Sequence, residues 1–234
     1  MSVPAWARRA ADALLGFAVA SIPLSTTGME AGVLALGALT LVAVARGWGV
    51  VRRTPLDAVL VLFYGVLALS TLMSGRPLEA AGWGRAWEVI AYPLVFWWLR
   101  DDAHAHRLLR LLVVAGAVAA AYGIVQHFTG IDWYRALLGR PTFVRAREAG
   151  TTGYAVVGFF RNYLTFAHTM IFPFAGAVAL ALAGRRLGIV AAPLIVIAIG
   201  YSTARGAWLA VLAVAAVLAV LARGRRVALT LGAV

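Results

Sequence analysis

Arg205 lies where two apolar runs meet with almost no polar residues between them, in the stretch YSTARGAW at positions 201–208. An arginine at the centre of a membrane helix costs about 2.5–3.5 kcal/mol, so it is by default a candidate for binding or catalysis. The alternative is an arginine that only reaches back to the membrane surface. Ser202 and Thr203 can satisfy backbone groups freed by a helix break, and Gly206 permits one. We therefore predict a broken or tilted helix pair around Arg205.

A long polar segment, Thr129–Asn162, carries five arginines against Asp132 and Glu148, which leaves a charge of +3. Guanidinium forks pair bidentately with phosphate oxygens and keep their charge. The segment is therefore interpreted as an electropositive mouth for an anionic substrate, with simple contact to anionic headgroups as the alternative. Within it, residues 132–138 predict a short helix lying flat at the membrane interface. The five arginines are Arg135, Arg140, Arg145, Arg147 and Arg161.

Other polar residues enter the apolar spans near the same side. His168 is about 1.5 turns of helix deeper than Arg161 and Asn162, which suits a buried hydrogen-bonded residue. The alternative role of His168 is packing. Arg85 lies at the start of another outer-facing span, and its alternative role is a local ion pair with Glu88. The candidate catalytic residues are Arg205 and Arg161, and the candidate substrate ligands are Asn162, Arg145, Arg147, His168 and Arg85.

The sequence lacks the motifs and residue types that several classes of enzyme require. There is no phosphate-binding P-loop, no HExxH zinc helix and no GxSxG elbow. Zero cysteines exclude thiol catalysis and thiolate metal sites. The four histidines are scattered, so we expect no metal and no cofactor. No basic stripe lies on a soluble face, so nucleic acid is not an expected partner.

The elements that must hold these residues are membrane helices. The chain is 63% hydrophobic and 13% charged, whereas soluble domains have about 25% charged residues. Runs such as Leu108–Phe128 are apolar on every face, which excludes the alternation of a membrane β-barrel. The sequence predicts an all-α polytopic bundle, one domain over residues 1–234, with the loop 129–162 outside. The eight predicted spans are residues 10–24, 29–45, 57–73, 86–99, 108–128, 163–183, 188–204 and 206–222.

The last residues predict the start of a ninth span. After a basic turn at Arg223–Arg226, the apolar run Val227–Val234 would reach only about 12 Å as a helix. That is less than half of a roughly 30 Å hydrocarbon core. We therefore expect the chain to be an N-terminal portion of a longer protein.

Arginine asymmetry predicts the orientation. A cytoplasmic N-terminus places thirteen arginines inside and three in short outer turns, Arg76, Arg85 and Arg205. The long loop then faces the periplasm. The thirteen are Arg8, Arg9, Arg46, Arg52, Arg53, Arg100, Arg107, Arg110, Arg185, Arg186, Arg223, Arg225 and Arg226.

Together these features resemble the O-antigen ligase and O-antigen polymerase superfamily of inner-membrane glycosyltransferases. The resemblance rests on a long outer loop leading into GFFRN at 158–162, and on a later span beginning STARGAW at 202–208. The family signature is Ser-Arg-Gly, whereas two residues here separate Ser202 from Arg205. The Arg-Gly pair therefore carries over, and the role of Ser202 does not.

The resemblance implies transfer of a glycan from undecaprenyl diphosphate at the periplasmic face, to lipid A core in a ligase or to a growing polysaccharide in a polymerase. It implies a metal-independent reaction in which outer-face arginines, Arg205 among them, hold the diphosphate. The family's catalytic histidine lies in a later loop, so residues 1–234 alone are expected to be inactive. The expected partners are the lipid-linked glycan, its acceptor and membrane lipids.

A polytopic transporter or lipid flippase is the alternative, because broken helices and buried arginines also mark substrate pathways. Two halves with matching interrupted helices would favour it, and the sequence shows none. A non-catalytic assembly subunit is a third possibility. Donor, acceptor and oligomeric state stay open at this point.

Overall fold

The fold is described from a computed structural model that covers residues 2–74, 87–146 and 152–231, with only the backbone for Trp87 and residues 223–231. These ranges contain nine α-helices, one 3₁₀ turn before α4 (Trp87–Ile90) and two short strands that pair antiparallel. The helices are α1 (Ala5–Ser21), α2 (Thr26–Ala45), α3 (Asp57–Ser74), α4 (Ala91–Trp98), α5 (Asp102–Thr129), α6 (Trp133–Leu137), α7 (Tyr163–Leu182), α8 (Arg186–Tyr201) and α9 (Arg205–Leu231). The strands are β1 (Arg145–Ala146) and β2 (Tyr154–Ala155).

Five described helices are long and apolar enough to cross a membrane: α2, α3, α5, α7 and Arg205–Ala222 of α9. The prediction of an all-α membrane protein is confirmed. The count of eight complete spans is wrong for the described residues, because the helices at three of the predicted spans are shorter than the roughly 20 residues of a membrane crossing. Helices α1, α4 and α8 have 17, 8 and 16 residues. At 1.5 Å per residue, α8 extends about 24 Å and α4 about 12 Å, against roughly 30 Å of hydrocarbon.

The predicted basic turn at Arg223–Arg226 is also wrong. Helix α9 continues without interruption from Arg205 to Leu231. The start of the expected ninth span is therefore helical continuation of α9. Arginine is a good helix former, so a run of arginines after an apolar stretch need not end a helix.

The chain folds as two compact units: unit 1 (residues 1–18 and 30–105) and unit 2 (residues 19–29 and 106–234). In unit 1, α1 buries Ala7, Ala11 and Leu15, whose spacing of four places them on one helix face. The indole Nε1 of Trp98 donates a 2.8 Å hydrogen bond to Oγ1 of Thr40, which joins α4 to α2.

The core of unit 2 lies where α7 packs against α5, α8 and α9. Phe166, Met170 and Phe174 of α7 are buried there, again at intervals of four residues. Gly188 of α8 faces the α7 backbone so closely that a Cβ atom would overlap the carbonyl oxygen of Ala177. Glycine at this position therefore allows the two helix backbones to approach.

Candidate functional site

The junction between α8 and α9 is a three-residue break at one end of unit 2. Ser202 is fully buried; its hydroxyl donates to the Ile199 carbonyl at 2.6 Å and accepts from the Ala204 N–H at 3.3 Å. Thr203 has φ +66°, and it is the only non-glycine residue with positive φ in the described ranges. The predicted break is confirmed, but Thr203 rather than Gly206 adopts the unusual conformation. Gly206 lies inside the first turn of α9.

Arg205 is the first residue of α9, and its side chain is exposed without a hydrogen bond or ion pair to any described residue. His168 lies beside the next residue, Gly206: its Nε2 is 3.7 Å from the point where a Cβ on Gly206 would stand. The Nδ1 atom is 2.7 Å from the Leu164 carbonyl. A carbonyl only accepts, so Nδ1 carries the proton and Nε2 of the neutral ring keeps a free lone pair. The predicted hydrogen bond is present, but His168 is exposed rather than buried.

Arg145 and Arg161 line one small pocket of about 100 Å³ together with Asn162. Both arginine side chains are exposed and unpaired with any described residue. Asn162 caps α7, because its Oδ1 accepts a 2.7 Å hydrogen bond from the N–H of Leu164. The cap fixes the point where the loop enters the helix and so holds the preceding Arg161 at the pocket. The remaining lining residues are Phe143, Ala155, Val157 and Tyr163.

A buried ion pair holds the start of the loop. Nε of Arg135 lies 2.9 Å from Oδ2 of Asp132, and Nη2 donates a 2.6 Å hydrogen bond to the Phe160 carbonyl. The guanidinium also lies over the Phe143 ring, and the Tyr122 hydroxyl donates to Oδ1 of Asp132 at 2.8 Å. The predicted short helix is confirmed as α6, with Asp132 at its N-cap. Arg135, however, is not part of an open electropositive mouth, because its charge is buried and paired.

The end of α5 supports the second half of the loop. Gln126 exchanges two hydrogen bonds with the backbone of Gly158, at 3.0 and 2.8 Å. His127 stacks on Tyr201, with 3.7 Å between ring centroids, and its Nδ1 donates to the Tyr154 carbonyl at 2.7 Å. Gln126 did not figure among the candidates from sequence, although adjacent polar residues ending a long apolar run were a usable signal.

The structure brings the predicted residues together in two groups. Arg145, Arg161 and Asn162 share the small pocket, whereas His168 and Arg205 do not line it. In the second group, His168 of α7 lies against Gly206, the residue that follows Arg205 in α9. Arg85 and Arg147 lie outside the described residues, as does the predicted ion pair of Arg85 with Glu88.

Comparisons of the chain with protein-family models, with curated proteins and with solved structures find no match.

Proposed function

We propose that this membrane protein transfers a glycan from undecaprenyl diphosphate to lipid A core or to a growing polysaccharide, in the manner of an O-antigen ligase. The proposal places it in a bacterial inner membrane, with a cytoplasmic N-terminus and the loop 129–162 in the periplasm. The observation that carries it is the pocket shared by Arg145, Arg161 and Asn162. These residues come from a strand and from a helix cap that are separated in the chain.

The chemistry of that pocket suits one phosphate group. Sites for whole small molecules have volumes of roughly 300–1,000 Å³, and this pocket has about 100 Å³. Two unpaired guanidinium groups supply the fixed positive charge that an oxygen-rich anion needs. The rest of a lipid-linked donor would therefore lie outside the pocket, with its polyprenyl chain in the bilayer.

Transfer breaks the bond between the anomeric carbon and the diphosphate oxygen, so negative charge develops on the leaving group. Arg205 is exposed and unpaired among the described residues, and a fixed cation stabilises that charge without a metal. The attacking hydroxyl oxygen forms the new bond to the anomeric carbon and gives up its proton. The resemblance gives this role to a histidine in a later loop. Among the described residues, Nε2 of His168 is the candidate acceptor, because its lone pair is free and it lies against Gly206, the neighbour of Arg205.

The experiment measures transfer of a labelled glycan from undecaprenyl diphosphate to lipid A core by the natural protein in lipid. We expect Arg205→Ala to abolish transfer and Arg205→Lys to restore little of it, because lysine lacks the planar fork. Arg186→Ala is the matched control, since Arg186 is also an exposed first residue of an apolar helix. Full activity of Arg205→Ala, or equal loss in Arg186→Ala, would remove the assignment.

A transporter is the second candidate, and the break between α8 and α9 is the observation that favours it. The same preparation separates the two. A transporter would move the lipid-linked donor between leaflets while leaving its glycosidic bond intact. Our proposal requires a new covalent product on the acceptor.

A further inference from the structure

Unit 1 contains a second basic cavity, which the proposed glycan transfer does not use. The cavity has a volume of about 380 Å³, within the range of sites that hold whole small ligands. Its charged residues are Arg8, Arg52, Arg100 and Asp12, and its apolar lining includes Trp97. Three cations against one anion leave a net charge of +2 in the cavity.

The three arginines differ in how they are held. Nη2 of Arg52 donates to the carbonyls of Phe96 and Leu99 at 2.8 and 3.0 Å, which fixes this guanidinium against the end of α4. Arg100 pairs with Asp12 at 2.7 Å. The Arg8 side chain is exposed and makes no hydrogen bond or ion pair with any described residue. The cavity therefore offers one anchored cation, Arg52, and one cation without an ion pair to any described residue, Arg8.

The position of the cavity indicates which anion it meets. Gly49, Val50 and Arg52 line it, and they lie four to seven residues after the end of α2 at Ala45, a helix that is long and apolar enough to cross a membrane. Residues just beyond the end of such a helix lie at headgroup depth. Valine, leucine and tryptophan side chains in the same wall suit the glycerol and upper acyl region of a lipid, whereas a site for a free ion needs none.

We infer that this arginine cavity binds the phosphate group of an anionic phospholipid. Guanidinium forks match phosphate oxygens, and basic pockets beside membrane helices bind anionic headgroups. Free inorganic phosphate carries the same oxygen atoms, so the test must distinguish a phospholipid from free phosphate. Asp12 limits the affinity, because it occupies Arg100.

The test is native mass spectrometry of the purified protein titrated with phosphatidylglycerol or with phosphatidylcholine. We expect phosphatidylglycerol to bind more tightly, and Arg8→Gln to weaken its binding at least about ten-fold, the effect of losing a hydrogen bond to a charged group. Arg9→Gln is the matched control: it removes the same charge from the next residue, which is exposed and does not line the cavity. We expect a smaller change there, no more than the about five-fold effect of one arginine near a lipid surface.

A substitution that should raise the affinity for phosphatidylglycerol gives a second, independent test. Asp12→Asn releases Arg100 and should strengthen phosphatidylglycerol binding, whereas Asp102→Asn, with the same change of charge on an exposed residue, should not. Equal effects of Arg8→Gln and Arg9→Gln would overturn the inference, because binding would then follow net charge alone. Displacement of the lipid by millimolar inorganic phosphate would also overturn it and assign the cavity to a soluble anion.

Discussion

Nε of Arg135 lies 2.9 Å from Oδ2 of Asp132, and the two side chains are only 5% and 0% exposed. This pair anchors α6 to the backbone at Phe160, and so shapes the loop that carries Arg145 and Arg161. An ion pair taken out of water is costly to break on one side, because the remaining charge is left buried.

Asp132→Asn should therefore destabilise the loop strongly, by about 3–5 kcal/mol. Limited proteolysis and thermal unfolding in detergent measure the effect. The double variant Asp132→Asn/Arg135→Gln should recover part of the loss, since no buried charge is left unpaired. Arg140→Gln is the control, because Arg140 is exposed in the same loop. If Asp132→Asn behaves like Arg140→Gln, the anchoring role is wrong.

Gly153→Ala should perturb the loop more than Gly139→Ala. Both glycines have positive φ, +88° and +63°, so both variants lose roughly 1 kcal/mol through the backbone. At Gly153 a Cβ would also overlap the His127 ring, whereas nothing lies within 4 Å at Gly139. The extra cost is expected to be about 1–3 kcal/mol, read as a difference in thermal midpoint. Equal midpoints would show that His127 does not pack where the structure places it.

Thr203→Gly should leave the protein as stable or more stable, by up to about 1 kcal/mol, because a β-branched residue at φ +66° is strained. Gly206→Ala should also be tolerated, since Gly206 is helical and its new Cβ would meet His168 at an ordinary 3.7 Å. Thermal unfolding of both variants is the measurement. Marked destabilisation by Gly206→Ala would identify Gly206, not Thr203, as the residue that makes the break.

The orientation can be tested by labelling, because the chain has no cysteine. Ala103→Cys and Ala146→Cys place single thiols at exposed positions, one at the start of α5 and one in β1. The arginine distribution predicts that Ala103→Cys reacts from the cytoplasm and Ala146→Cys from the periplasm. Reaction of both with a reagent applied to one side would contradict the predicted topology.

Local patterns were sufficient for most helices of this fold. Apolar runs bounded by arginine or glycine predicted α2, α3, α5 and α7. The interfacial aromatic residues Trp133 and Tyr134 predicted α6. The number of spans was harder to predict, because hydropathy does not determine the residue at which a short helix ends. The eight-residue helix α4 has the apolar composition of a longer span.

The candidate site depended more on long-range contacts. The shared pocket of Arg145 and Arg161 requires β1 and the cap of α7 to meet, and no local rule specifies that meeting. The burial of Arg135 likewise depends on the distant carbonyl of Phe160. From the sequence, Arg135 and Asp132 could only be counted in the net charge of the loop, and that count could not show that the guanidinium leaves solvent.

The most direct test of the central claim is binding of undecaprenyl diphosphate to the purified protein in lipid nanodiscs. Hydrogen bonds to charged groups contribute about 1.5–3 kcal/mol, so Arg161→Gln and Arg145→Gln should each weaken binding at least about ten-fold. Arg140→Gln, which removes the same charge from the loop without lining the pocket, should change it little. Unchanged affinity in Arg161→Gln, or an equal loss in all three variants, would contradict a diphosphate site built from Arg145 and Arg161.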